Sequence, residues 1–296
     1  MRLLNSKTFE LRNFDNSPSP KYAIFSHRWY EDELKYEDFR AQDLLDGTNS
    51  GRAYDKVRNA CRIARDNHFE WIWIDSCCIN KASSEETSSS INSMFKWYQE
   101  ADVCYVYLFD VQYRDNRASN IESFTSNGVH GKASEWFERG WTLQELLAPR
   151  SMMFFDASWE PIGTRVQLAK EISSVTGIDA RYLDGTETFR SASVAKRLSW
   201  QSHRRTTKAE DIAYTLVGIL GVSLAPMYGE GSQAFMRLQE AFLNRYPDES
   251  LFAWMAPSSW LPRHAQRWRD GEWGLLAPSV ACFRESGDVV LRGPSP

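Results

Sequence analysis

The stretch SEWFERGWTLQELLAPR, residues 134–150, sets a single carboxylate in apolar surroundings. Trp136, Trp141, Leu143, Leu146 and Leu147 supply bulk, yet Gln144 and Glu145 stand inside the run, one helical turn after Trp141. A glutamate so placed is either a solvated edge of the helix or the group the helix presents. Read as one continuous helix from residue 134, the segment centres its apolar stripe on Trp136, Gly140, Leu143 and Leu147. Glu145 then points away from the stripe, beside Trp141, where a solvated charge is the default. Gly140 is the residue able to break that register.

Polar groups also gather at the ends of two β-rich runs, Ser26-His27-Arg28-Trp29 and Asp75-Ser76-Cys77-Cys78-Ile79-Asn80. Asp75 is either a binding group or an acid that caps backbone N–H groups of the next loop. Cys78 and His27 on one edge could pair as nucleophile and base; the alternative is a packed core thiol. The chain lacks GxxxxGK[ST], CxxC and HExxH, so neither a P-loop nucleotidase nor a zinc centre is expected. Gly229-Glu230-Gly231 lies between helices and reads as a turn, and His68, His130, His203 and His264 have no context for chemistry.

Alternating elements must position these groups. YAIFSH (22–27), WIWIDSCCI (71–79), VCYVYLFDV (103–111) and SMMFFDA (151–157) read as strands. AYDKVRNACRIARDNH (53–68), INSMFKWYQEA (91–101), the 134–147 segment stopped at Pro149, and VQLAKEISSVTG (166–177) read as helices, the last capped by Gly177. KASSEETSSS and residues 112–133 read as polar loops. Such alternation predicts a parallel sheet with helices on both faces, and ligands bind beyond the carboxyl ends of its strands. Ser26, Asp75 and Glu145 are expected to line one cleft there. Beyond residue 180, SASVAKRLSW, KAEDIAYTLVGILGV and EGSQAFMRLQEAFLNR read as helices, followed by a Trp/Pro-rich tail with short strands at LFAWMA and DVVLRG. The expected organisation is an α/β core, residues 1–180, and a mainly helical extension, residues 181–296, packed on it.

The 296 residues, 42% hydrophobic and 25% charged, can bury a full core. A net charge of −4 gives no basic field for nucleic acid or an anionic membrane. No apolar stretch reaches the roughly 20 residues of a membrane span, and MRLLNSKTFELRNF lacks the apolar centre of a signal peptide. Five cysteines, an odd number set mostly in apolar runs, point to reduced thiols and a cytoplasmic address. Twelve tryptophans predict a Trp-rich core, with some rings available to stack on a flat ligand.

YAIFSHRW, WIWIDSCCIN and RGWTLQELLAPR, in this order and at these separations, resemble the signature blocks of the fungal HET (heterokaryon incompatibility) domain. KAEDIAYTLVGILGV and MYGEGSQAFMRLQEAFL are similar to segments that commonly follow it. The resemblance implies a role in fungal nonself recognition, in which activation triggers cell death. Many members continue into a nucleotide-binding oligomerisation module and repeats; the chain shows neither, so any upstream sensor is expected to lie elsewhere or in another protein. HET domains in turn resemble TIR domains, whose alternation is flavodoxin-like and some of which hydrolyse NAD with a glutamate in a W-x-x-x-E pattern after the third strand. Trp141 to Glu145 has that spacing on the corresponding helix.

Chemistry is compatible with that implication. Nicotinamide in NAD is cationic and leaves neutral, so no general acid is needed. One carboxylate suffices to stabilise the cationic ribose. The resemblance therefore implies Glu145 as the catalytic group and NAD as substrate rather than as a prosthetic group. Trp29 or Trp141 would stack on a ring, and Arg28 and His27 would meet the pyrophosphate, with Ser26 and Asp75 on the same sheet edge. Arg139 reads equally as a phosphate ligand or a salt-bridge partner. Activity is expected to rise on self-association. The alternative is a non-enzymatic signalling module that recruits partner domains, and fold analogy cannot choose between the two.

Overall fold

The computed structural model describes residues 1–15, 18–47, 49–112, 124, 133–257 and 274–291. Two compact units are present: Met1–Trp136 with Ala148–Leu168, and Phe137–Leu147 with Ala169–Pro296.

The first unit is built on a mixed sheet. Its strands are β1 (Arg2–Asn5), β2 (Leu11–Asn13), β3 (Tyr22–His27), β4 (Trp71–Ile74), β5 (Val103–Tyr107), β6 (Met152–Phe155) and β7 (Pro161–Thr164), in the order β2-β1-β4-β3-β5-β6-β7. The four strands read from the sequence form the centre, β4-β3-β5-β6, and all pair in parallel. Relative to one another they run 2-1-3-4, the order of flavodoxin-like sheets, with the switch point between β3 and β5. The unforeseen strands β1, β2 and β7 add antiparallel pairings at the two sides. They escaped notice because each is only three or four residues long and carries no clear alternation.

Helices α1 (Ala41–Leu45), α2 (Arg52–Asp66), α3 (Asp75–Cys78) and α4 (Ser84–Glu100) complete this unit. Chain order and the right-handed crossover rule put α2 and α4 on opposite faces of the sheet. Side-chain contacts agree. Trp73, in register with Ile24 and hence on the face of Ser26, packs against Trp97 and Tyr98 of α4 at 5.6 and 5.8 Å between ring centres. On the other face, His27 lies 3.9 Å from Glu33, which pairs with Lys56 of α2. With both faces covered, every residue of β3 is buried.

Two sequence expectations change here. The strand expected over 71–79 stops at Ile74, and Asp75–Cys78 turn helical. Cys77, Cys78 and Ile79 are apolar because the turn is buried, and a short apolar run alone does not separate strand from turn. Conversely, most of KASSEETSSS is helical. Ser83 accepts from the Glu86 N–H at 3.2 Å, and Glu85 and Glu86 favour the positive end of α4. Residues 112–133 lie, apart from 112, 124 and 133, outside the described residues.

In the second unit the 134–147 segment is not one helix. A 3-10 turn, Glu135–Glu138, crosses the unit boundary, and α5 (Thr142–Leu147) follows after a break at Gly140. A Cβ on Gly140 would sit 2.5 Å from Thr206 Cγ2 and 2.8 Å from Gln201 Nε2. The Gly140 N–H donates to the Arg205 carbonyl at 2.8 Å. Close approach of residues 201–206 thus requires glycine and breaks the helix there.

The unit continues with α6 (Ala169–Thr176), α7 (Ala180–Leu183), α8 (Val194–Ser199), α9 (Asp211–Tyr214), α10 (Val217–Leu220) and α11 (Gln233–Leu243). Gly177, at φ +70°, ends α6 as its sequence position predicts. KAEDIAYTLVGILGV yields two short helices instead of one. LFAWMA is not a strand. Asp248 accepts from the Ser250 N–H and hydroxyl and caps a 3-10 turn over Glu249–Phe252. The described part of DVVLRG also forms no strand.

Candidate functional site

At the carboxyl edge of the first unit's parallel strands, next to the switch point, Asp75 is the hub. Its side chain is 23% exposed. His27 Nε2 lies 3.1 Å from Asp75 Oδ1, and the Trp29 indole N–H reaches both carboxylate oxygens at 3.0 and 2.9 Å. The Lys81 ammonium sits 3.9 Å from Asp75 Oδ2 and 3.6 Å from the Trp29 ring centre. Burial alone would raise the Asp75 carboxyl, but the hydrogen bond with His27, the Lys81 charge and the Trp29 indole outweigh it. They hold the group well below the usual carboxylate range.

That balance predicts a pH signature. A folded-state value below the unfolded value of about 3.9 gives stability that is whole above about pH 4. It is lost as the pH falls through the lowered folded value. Asp75→Asn is therefore expected to cost about 1–3 kcal/mol near neutrality. The gap to wild type, followed by thermal melts, should narrow below about pH 4. A pH-independent gap would contradict this account.

The remaining edge residues fall into two groups. Ser26 is fully buried, and its Oγ accepts from the Trp136 indole at 2.9 Å. Arg28, 36% exposed along its side chain, pairs with Glu135 at 2.8 Å and lies 5.4 Å from the Phe109 ring centre. Behind His27, Glu33 and Lys56 form an ion pair at 2.5 Å with both side chains 1% exposed. Glu33 Oε1 is 3.9 Å from His27 Nδ1. The nucleophile reading of Cys78 does not hold. Burial pushes its thiol up to about 12, and His27 Nε2 is engaged with Asp75.

Glu145 belongs to the second unit, and it is not a solvated edge. All six residues of α5 are buried, Glu145 being 8% exposed. The continuous-helix projection failed because Gly140 resets the register. Arg204, in the same unit, is 6% exposed and feels the Glu145 charge. Burial pushes the Arg204 guanidinium down to about 9, with Glu145 opposing, so it stays charged at neutral pH. Trp141, half-buried, donates to Asp211 Oδ2 at 3.2 Å. The Arg139 carbonyl accepts from the Thr142 hydroxyl at 2.9 Å, while its guanidinium forms no ion pair among the described residues.

Sequence reasoning missed Lys81, the Glu33–Lys56 pair and Arg204. Lys56 did leave a signal: it sits in the stripe Ala53, Lys56, Val57, Ala60, where a charge needs a buried partner. Lys81 and Arg204 stand in polar runs and left none.

A doubly wound parallel core with its polar residues at the carboxyl edge defines an α/β domain. Residues 22–129 match the family described as "Heterokaryon incompatibility protein (HET)", and the chain belongs to the HET domain family. Vegetative incompatibility protein HET-E-1 of Podospora anserina is 41% identical over 246 residues, covering 81% of this chain and 18% of that protein. The chain therefore spans about a fifth of that relative's length. Residues 233–289 match a second family, described as "Domain of unknown function (DUF8212)". No solved structure matches the chain. Among the described residues, no helix is long and apolar enough to cross a membrane, and all five cysteines are free and buried.

Proposed function

We propose that the chain is a cell-death effector of nonself recognition that, on self-association, hydrolyses NAD to nicotinamide and ADP-ribose. The relative's name supports the incompatibility role. The observation that carries the chemistry is Glu145: a carboxylate only 8% exposed, on a helix whose every residue is buried. Solvation does not explain a charge in that place, and a preorganised carboxylate is what the cationic ribosyl transition state requires. Ser26, His27, Arg28, Trp29, Asp75, Arg139 and Trp141 keep, within this proposal, the nucleotide-contact roles that the family resemblance gives them.

One observation favours the non-enzymatic module instead. His27 and Trp29 both hydrogen-bond Asp75, as structural partners that leave the carboxylate engaged. A single assay separates the readings. Purified protein incubated with NAD over about a hundredfold range of protein concentration should release nicotinamide with a specific activity that rises as the chain associates. Specific activity that stays flat over that range removes the assembly requirement. No release at any concentration, with association intact, establishes the signalling module.

A further inference from the structure

Arg204 has no role in the sequence reading, yet it holds the start of the helix that carries Glu145. Its Nη1 donates to the Thr142 hydroxyl at 2.8 Å and to the Arg139 carbonyl at 3.0 Å. The Thr142 hydroxyl in turn donates to the same carbonyl at 2.9 Å. The guanidinium thus ties Arg139, just before the break at Gly140, to the first turn of α5. Thr142 and Glu145 are three residues apart and share a helix face, so the guanidinium lies on the side to which Glu145 projects. Its own placement is fixed from behind, with Nε donating to the Trp200 carbonyl at 3.3 Å. The outer Nη2 is buried and has no hydrogen-bond partner. A buried charged donor left open in this way is costly and is not what a purely structural clamp would retain.

We infer that Arg204 is the positioning residue of Glu145: through Thr142 and the Arg139 carbonyl it holds the first turn of α5, the helix that carries the carboxylate. The inference rests on the hydrolase reading of Glu145. Arg204 does not take part in bond cleavage. Its loss leaves Glu145 present but misplaced, so kcat should fall while KM changes little. Because both residues act through one carboxylate, their losses should not multiply.

The experiment is a double-substitution cycle on the full chain, using nicotinamide release from NAD and thermal melting. Arg204→Gln is expected to lower kcat about a hundredfold with KM within about threefold of wild type. Arg204→Lys, which keeps the charge without the fork, should recover part of the loss. In a Glu145→Gln background, Arg204→Gln should cost no further activity. Should Arg204→Gln fail to fold, Thr142→Val removes one of the two contacts and should still lower kcat. Losses that multiply, or an Arg204→Gln enzyme at the parental kcat, overturn the positioning role while leaving the hydrolase intact. A wild-type chain without nicotinamide release overturns the hydrolase reading, and the positioning role with it.

Discussion

Glu145→Gln is expected to abolish nicotinamide release from a chain that remains folded. The amide preserves shape and costs the helix little propensity, but it cannot offset positive charge on the ribose. Losing one preorganised electrostatic contact costs about 10² to 10³ in rate, and more where it is the sole one. Burial adds a cost that the sequence does not reveal. Glu145 is 8% exposed, so its substitution should also remove about 1–3 kcal/mol of stability. The matched control is Glu138→Gln. Glu138 is half-buried, and its backbone carbonyl accepts from the Arg205 N–H at 2.7 Å, a contact the substitution spares. It should stay near wild type in both activity and melting. A folded Glu145→Gln protein that releases nicotinamide at the parental rate makes Glu145 a structural partner of Arg204 and nothing more.

The largest effect on stability is expected at Glu33 and Lys56. Both side chains are 1% exposed and 2.5 Å apart. Burial lowers the Lys56 ammonium's hold on its proton, with Glu33 opposing. Glu33 also accepts from the Tyr30 N–H at 2.9 Å, so its carboxylate shapes the loop after β3 as well as balancing a charge. Lys56→Met leaves a carboxylate buried and uncompensated, at an expected cost of about 3–5 kcal/mol in urea unfolding. Combining it with Glu33→Gln should restore much of that loss, since no bare charge then remains. A single variant within about 1 kcal/mol of wild type would show that water reaches the pair.

The parallel centre of the sheet was legible because β3, β4, β5 and β6 are buried on both faces and so appear as short apolar runs. The antiparallel strands were not. Arg2–Asn5, Leu11–Asn13 and Pro161–Thr164 gain strand geometry from their neighbours rather than from their own composition. Asp75 and Glu145 were picked out from sequence, but their surroundings were not. Lys81 reaches Asp75 across a loop, and Arg204 reaches α5 from about sixty residues away. Such partners are set by tertiary contact, which local periodicity does not encode. The break at Gly140 has the same origin, since its cause lies in Gln201 and Thr206.

The outermost strands of the sheet bear on how copies of the chain could join. Among the described residues, one border is β2, three residues long with Arg12 and Asn13 exposed. The other is β7, which begins at Pro161, lacking an N–H, and faces a register shift between Phe154 and Phe155. Short, charged, proline-bearing and irregular borders are poor templates for an incoming strand. Strand addition between copies would gain few ladder hydrogen bonds at either side. If copies of the chain associate, the described sheet borders favour helix and loop surfaces over a continuous cross-β fibre.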